Sequence, residues 1–145
     1  MTTPMEDIQP THTSPPQKAK KSAEIRTHTI RSAPFSYAHL ELSSSDPASH
    51  QPELDDLQVR SYCASALARF LGDTGSAIPV DLLKVRGNRA WVRVPSPDLA
   101  AFAAAVTAWP GTTDGGARVV LRLLQCSDWL GCMVGRDGQE DVWKS

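Results

Sequence analysis

Between Arg89 and Arg93 the chain reads Arg-Ala-Trp-Val-Arg, which in an extended segment puts a tryptophan between two guanidinium groups on one side. Such a set can do one of two things. The indole offers a flat face on which a nucleobase stacks while the arginines neutralise phosphates. Alternatively it fills a pocket in a partner protein, with the arginines as the polar rim. The same alternation collects more cations. Lys84 and Arg86 precede this segment, Arg118 and Arg122 flank Val120 in a later one, and Tyr37 and His39 face the same way in an earlier one. The candidate RNA- or partner-facing set is therefore Tyr37, His39, Lys84, Arg86, Trp91, Arg93, Arg118 and Arg122.

Other chemistries find less support. Cys126 and Cys132 are six apart, and all four histidines fall in the N-terminal third, whereas zinc sites show two close ligand pairs. No metal, no cofactor and no small-molecule substrate are expected. There is no nucleophile elbow, and Asp55-Asp56 is explained by helix capping. A small acylphosphatase-like enzyme stays an alternative because Asn88 lies in a turn among basic residues. That chemistry needs a loop of converging backbone amides after the first strand, and SSSDPASHQ at residues 43–51 has no glycine. The run Gly131-Cys132-Met133-Val134-Gly135-Arg136-Asp137-Gly138 lacks the ending of a phosphate loop. It reads as a turn-rich C-terminal extension, with Trp129 and Leu130 packing back on the body or on a partner.

The elements that must position these residues follow from periodicity. Residues 1–23 are polar and partly basic without apolar rhythm, and read as a disordered tail. Residues 24–30 hint at a strand through Ile25, Thr27 and Thr29. Residues 35–42, FSYAHLEL, give a clean strand with Ala38, Leu40 and Leu42 on one face. A helix follows, with Pro52 in its first turn, a stripe of Leu57, Ala64, Leu67, Phe70 and Leu71, and Gly72 as its stop. Residues 73–78 read as a loop. Residues 79–95 read as two strands joined at Gly87-Asn88, with Leu83 and Val85 inward on the first and Ala90, Val92 and Val94 inward on the second. Ser96-Pro97-Asp98 caps a second helix whose inner face is Leu99, Phe102, Ala103 and Val106, ended by Pro110-Gly111. After a glycine-rich turn, residues 117–124 form a last strand with Val119, Leu121 and Leu123 inward.

This order, with right-handed crossovers, predicts an α+β, ferredoxin-like βαββαβ sandwich: two helices on one face of a four-stranded antiparallel sheet. The domain would span residues 24–126, with the extension at 127–145. At 145 residues and 41% hydrophobic the chain supports one modest core. A net charge of -1 excludes binding nucleic acid by bulk charge, so any RNA contact must come from a local patch. Residues 1–33 carry five Lys/Arg against three Asp/Glu, and the remainder ten against thirteen. No apolar run approaches the roughly 18 residues of a membrane span, so no membrane is expected. Three widely spaced cysteines argue against a disulfide framework and for a reducing compartment, with Cys63 as a small core residue.

Four segments together resemble a known family: residues 35–42 (FSYAHLEL), 60–72 (from Arg60-Ser61-Tyr62 to Ala66-Leu67-Ala68-Arg69-Phe70-Leu71-Gly72), 74–85 (TGSAIPVDLLKV) and Asp128-Trp129-Leu130-Gly131. They look like the small fungal protein subunit of ribonuclease P and ribonuclease MRP called Pop-eight, of the Pop-five and Rpp-fourteen group. The resemblance spans roughly residues 24 to 140. It implies a noncatalytic, nuclear (nucleolar) subunit of an RNA-based endoribonuclease for precursor tRNA and pre-ribosomal RNA. It further implies pairing with a Pop-five-like sister subunit among other ribonuclease P/MRP proteins, on a catalytic RNA. No catalytic residue carries over. The residue-level alternative is an autonomous single-stranded RNA-binding domain: Trp91 occupies one stacking position of the RNA-recognition signature, and Arg89 sits where a second ring belongs.

Overall fold

A computed structural model of the chain describes residues 26–46 and 53–134. The expected tail over residues 1–23, Pro52 with most of the loop before it, and the extension beyond Val134 lie outside them. The chain divides into two units, Met1–Ile30 and Arg31–Ser145. In the first, residues 26–30 are exposed and carry no strand. The second holds the domain. No helix among the described residues is long and apolar enough to cross a membrane.

The strands are β1 (Phe35–Ser44), β2 (Asp81–Arg86), β3 (Arg89–Pro95), β4 (Thr112–Asp114) and β5 (Ala117–Ser127). The α-helices are α1 (Asp56–Leu71), α2 (Asp73–Ser76), α3 (Leu99–Ala108), preceded by a 3-10 turn at Ser96–Asp98, and α4 (Gly131–Val134). All pairings are antiparallel, in the order β2-β3-β1-β5-β4. The sheet has five strands where the alternation pattern predicts four. The addition is β4, hidden in the glycine-rich turn: Asp114 pairs with Ala117 around Gly115 and Gly116, which have φ of 57° and 89°. Positive φ at both central residues is the type I′ signature that lets two strands meet over two residues. The other hairpin closes at Gly87-Asn88, with φ of 59° at Gly87. Its tip is tied to β1 by Leu42 N–H donating to Asn88 O at 2.7 Å and Asn88 Nδ2 donating to Leu42 O at 3.2 Å. The turn asparagine thus has a structural partner.

The core lies between one sheet face and α1 with α3. Ala38, Leu40, Leu42, Ala90, Val92, Val94, Val119 and Leu121 come from the sheet, and Val59, Cys63, Ala66, Leu67, Phe102, Ala105 and Val106 from the helices. Two expectations change here. On α1 the buried stripe is Val59, Cys63, Ala66 and Leu67, whereas Leu57 and Phe70 are 72% and 51% exposed. The helix carries apolar residues all around, so its inward side is set by docking rather than by composition. On β2 a bulge falls between Leu82 and Lys84. It keeps Leu82 and Val85 packed against the core and turns Leu83 outward, 42% exposed.

Residues 73–78, expected as loop, begin with the single turn α2, whose Gly75 is buried against the end of α1. Tyr62 stacks at a tilt on Trp109, with ring centroids 5.2 Å apart. Burial, assisted by the charge of Asp114, raises the Tyr62 pKa. Burial alone pushes the Cys63 thiol up to about 12, as fits a core side chain without reactive character.

Candidate functional site

The sheet face away from α1 and α3 collects the predicted residues by strand alternation. Cross-strand register puts His39 opposite Trp91, Tyr37 opposite Arg93 and Glu41 opposite Arg89. On the next strand out, Lys84 lies opposite Trp91, Arg86 opposite Arg89 and Asp81 opposite Arg93. On the other side Glu41 faces Arg122, and Arg118 follows by alternation. Six cations (Lys84, Arg86, Arg89, Arg93, Arg118, Arg122) therefore share this face with two carboxylates, Glu41 and Asp81, in a chain whose net charge is -1. The positive charge is segregated onto one surface.

The cations are not equivalent. Arg93 is fixed: Nε and Nη2 donate to Asp81 Oδ2 at 3.1 and 2.7 Å, and its guanidinium lies 4.3 Å from the Phe35 ring centroid. Arg118 Nε donates to the Pro110 carbonyl at 2.6 Å. Glu41 stands between Arg89 at 3.7 Å and Arg122 at 3.9 Å, near the outer limit for ion pairs. The Arg122 side chain stays 63% exposed. Lys84 and Arg86 form no ion pair among the described residues. Lys84, Arg86 and Arg122 are thus the cations best placed to meet an external anion.

Trp91 is not on display. It is 8% exposed and His39 is 7% exposed. The His39 ring stacks on the indole with centroids 4.4 Å apart and planes 12° apart. From the neighbouring strand, Lys84 Nζ sits over the indole, 5.8 Å from its centroid. Leu130 and Val134 lie beside it, lining with Leu83, Lys84, Arg86 and Trp91 a cavity of about 220 Å³. The C-terminal segment therefore folds onto the face that the alternation pattern leaves open, with Met133 buried at 2% exposure and α4 against β5. Trp129, the expected anchor, is 52% exposed and Leu130 only half-buried. Near the start of that segment, Asp128 accepts a hydrogen bond from the buried Ser36 hydroxyl.

Sequence reasoning missed the counter-charge Asp81; it expected Trp129 and Leu130 to pack back on the body or a partner, but not that Leu130 and Val134 would lie beside Trp91. The first was readable from β2–β3 register once the bulge is known. The second had only the weak signal of apolar residues after the last strand. No group of His, Cys, Asp and Glu capable of holding a metal occurs among the described residues.

The two-layer fold and its basic sheet surface define a small α+β module that would meet a macromolecule across a broad face. The family model described as "Ribonucleases P/MRP protein subunit Pop8" matches residues 34–109, just over half of the chain. The chain belongs to that family: it is a protein subunit of ribonuclease P/MRP, as the sequence resemblance implies. It is also similar in fold to a chain in the cryo-EM structure of yeast ribonuclease MRP, with a TM-score of 0.61 and 21% identity, covering 79% of this chain and 98% of that one. No curated protein matches it.

Proposed function

We propose that the chain is a noncatalytic scaffold of the ribonuclease P/MRP particle. It pairs with a Pop-five-like sister subunit and stabilises the RNA, in which cleavage of precursor tRNA and pre-ribosomal RNA resides. In this reading it acts in the nucleus, chiefly the nucleolus, and its fold is a ferredoxin-like arrangement of β1, β2, β3 and β5 extended by β4. The observation that carries the proposal is charge segregation: a chain with net charge -1 gathers six cations on one sheet face, with Lys84, Arg86 and Arg122 left for phosphate contact. Pairing with a protein is supported by the apolar surface left on α1, where Leu57 and Phe70 are exposed. Ala66, Arg69, Phe70, Ala105, Ala108 and Trp109 line a groove of about 150 Å³ between α1 and α3, apolar but for the one guanidinium.

Autonomous base reading is disfavoured because His39 already stacks on the Trp91 ring. Affinity capture of the tagged chain from cells tests the scaffold reading. It should retain a Pop-five-like protein and the P or MRP RNA. Recovery of the chain with neither would overturn it.

A further inference from the structure

Strand register arranges the basic face in rows that run across the sheet. Arg86 lies opposite Arg89, Arg89 opposite Glu41 and Glu41 opposite Arg122, so one row reads Arg-Arg-Glu-Arg from β2 to β5. The next row is Lys84-Trp91-His39-Gln125, which holds the stacked rings and has Leu130 and Val134 beside the indole. In the first row Arg86, Arg89 and Arg122 all stay exposed. Its ends are three strand spacings of about 4.8 Å apart, roughly 14 Å. Three guanidinium groups on one line across four strands form an anion track, and Glu41 interrupts it.

The carboxylates Asp81 and Glu41 on this face are held differently. Asp81 Oδ2 accepts two hydrogen bonds from Arg93, at 3.1 and 2.7 Å. Glu41 Oε1 is 3.7 Å from Arg89 Nε, and its Oε2 is 3.9 Å from Arg122 Nη1, both beyond hydrogen-bond reach. Each oxygen turns to a different guanidinium, and the Glu41 side chain is still 21% exposed. An anion that bridges two arginines without bonding to either is readily exchanged. A phosphate offers oxygens that close charge-assisted bonds to arginine at about 2.7–2.9 Å. We infer that Glu41 is a placeholder anion: when RNA binds, one backbone phosphate takes its position between Arg89 and Arg122. Arg86, at the end of the same row, meets a further phosphate. This inference rests on the RNA contact proposed above and adds two residues to it. Arg89 joins the phosphate-binding set, and Glu41 becomes the residue that holds the affinity down.

Titration of the P or MRP RNA against the full chain with its protein partner tests this. Glu41→Gln keeps the side chain's shape and removes its charge. It should tighten binding about fivefold at low salt, the gain that two released surface ion pairs allow, and the gain should shrink as salt rises. Asp81→Asn removes the same charge from the same face and should leave the affinity within about twofold of wild type. With Arg89→Ala and Arg122→Ala already in place, Glu41→Gln should bring no gain. Both single changes are isosteric and at the surface, and loss of fold cannot mimic a gain in affinity. Equal gains from Glu41→Gln and Asp81→Asn would reduce the effect to bulk charge and overturn the inference. So would no gain, or a gain that survives the loss of both arginines. Salt-dependent wild-type binding with an inert Glu41→Gln overturns this inference alone, whereas wild-type binding without salt dependence overturns the RNA contact on which it rests.

Discussion

Arg93→Ala separates a cation that holds the sheet together from one that waits for a phosphate. In the native fold Arg93 loses two things on truncation: a surface ion pair with Asp81, with donor distances of 3.1 and 2.7 Å, and a stacked contact 4.3 Å from the Phe35 centroid. An exposed ion pair contributes about 0.5 kcal/mol, and a cation over a phenyl ring at an exposed site about 0.5–1 kcal/mol. The expected loss is about 1–1.5 kcal/mol, or roughly 5–10 °C in Tm for a domain of this size. Arg122→Ala removes only a 3.9 Å pair from a side chain 63% exposed, so it should stay within about 0.5 kcal/mol of wild type. Thermal melts followed by circular dichroism, on the chain alone or with its partner, measure both. Combining Arg93→Ala with Asp81→Ala should show coupling of about 0.5 kcal/mol. An Arg93→Ala melt that overlays wild type, or an equal loss in Arg122→Ala, would refute this division of labour.

Two further outcomes follow from the helical layer. A Cβ at Gly75 would lie 2.2 Å from the Leu67 carbonyl oxygen and 2.6 Å from its carbon. Backbone cannot yield cheaply there, so Gly75→Ala should lower stability by about 1–3 kcal/mol, read from the urea midpoint. Of the three thiols, Cys126 and Cys132 are exposed and Cys63 is buried. Ellman's reagent should therefore titrate two in the native chain and the third only after unfolding. Cys63 also sets a pH dependence. Its folded pKa, about 12, lies above the unfolded value near 9, so above pH 9 the unfolded state sheds a proton that the folded state keeps. Stability should be intact below pH 9 and fall by up to about 1.4 kcal/mol per pH unit between 9 and 12, a loss that Cys63→Ala abolishes.

Much of the architecture was legible because period-two alternation is unambiguous where one face is apolar. Ala38, Leu40 and Leu42, then Ala90, Val92 and Val94, fall on the core side as their spacing requires. The glycines at the two hairpins mark real turns. What escaped were features decided by contacts distant in sequence. The bulge at Leu83 breaks the alternation within six residues, and only pairing with β3 reveals it. On α1, Leu57 and Phe70 compete with Val59 and Cys63 for the core, and the sheet's shape decides between them. The three-residue β4 is too short to show a period and was signalled only by Asp114-Gly115-Gly116. The basic face was legible residue by residue. Which of its cations are already engaged was not, because Asp81, Pro110 and Phe35 reach them only through the fold.

If the outward cations of the sheet face meet RNA phosphates, as proposed above, the salt dependence of RNA binding reports it most directly. Binding of the P or MRP RNA to the chain with its protein partner would be measured across a range of salt, for wild type and for Arg86→Ala with Arg122→Ala. Each phosphate contact on single-stranded RNA adds about 0.7 to the log–log slope. The double variant should therefore flatten the slope by about 1.4 while its melting temperature holds, and Arg93→Ala should leave the slope as it is. An unaltered slope in the double variant would contradict the account and move these arginines to a protein contact.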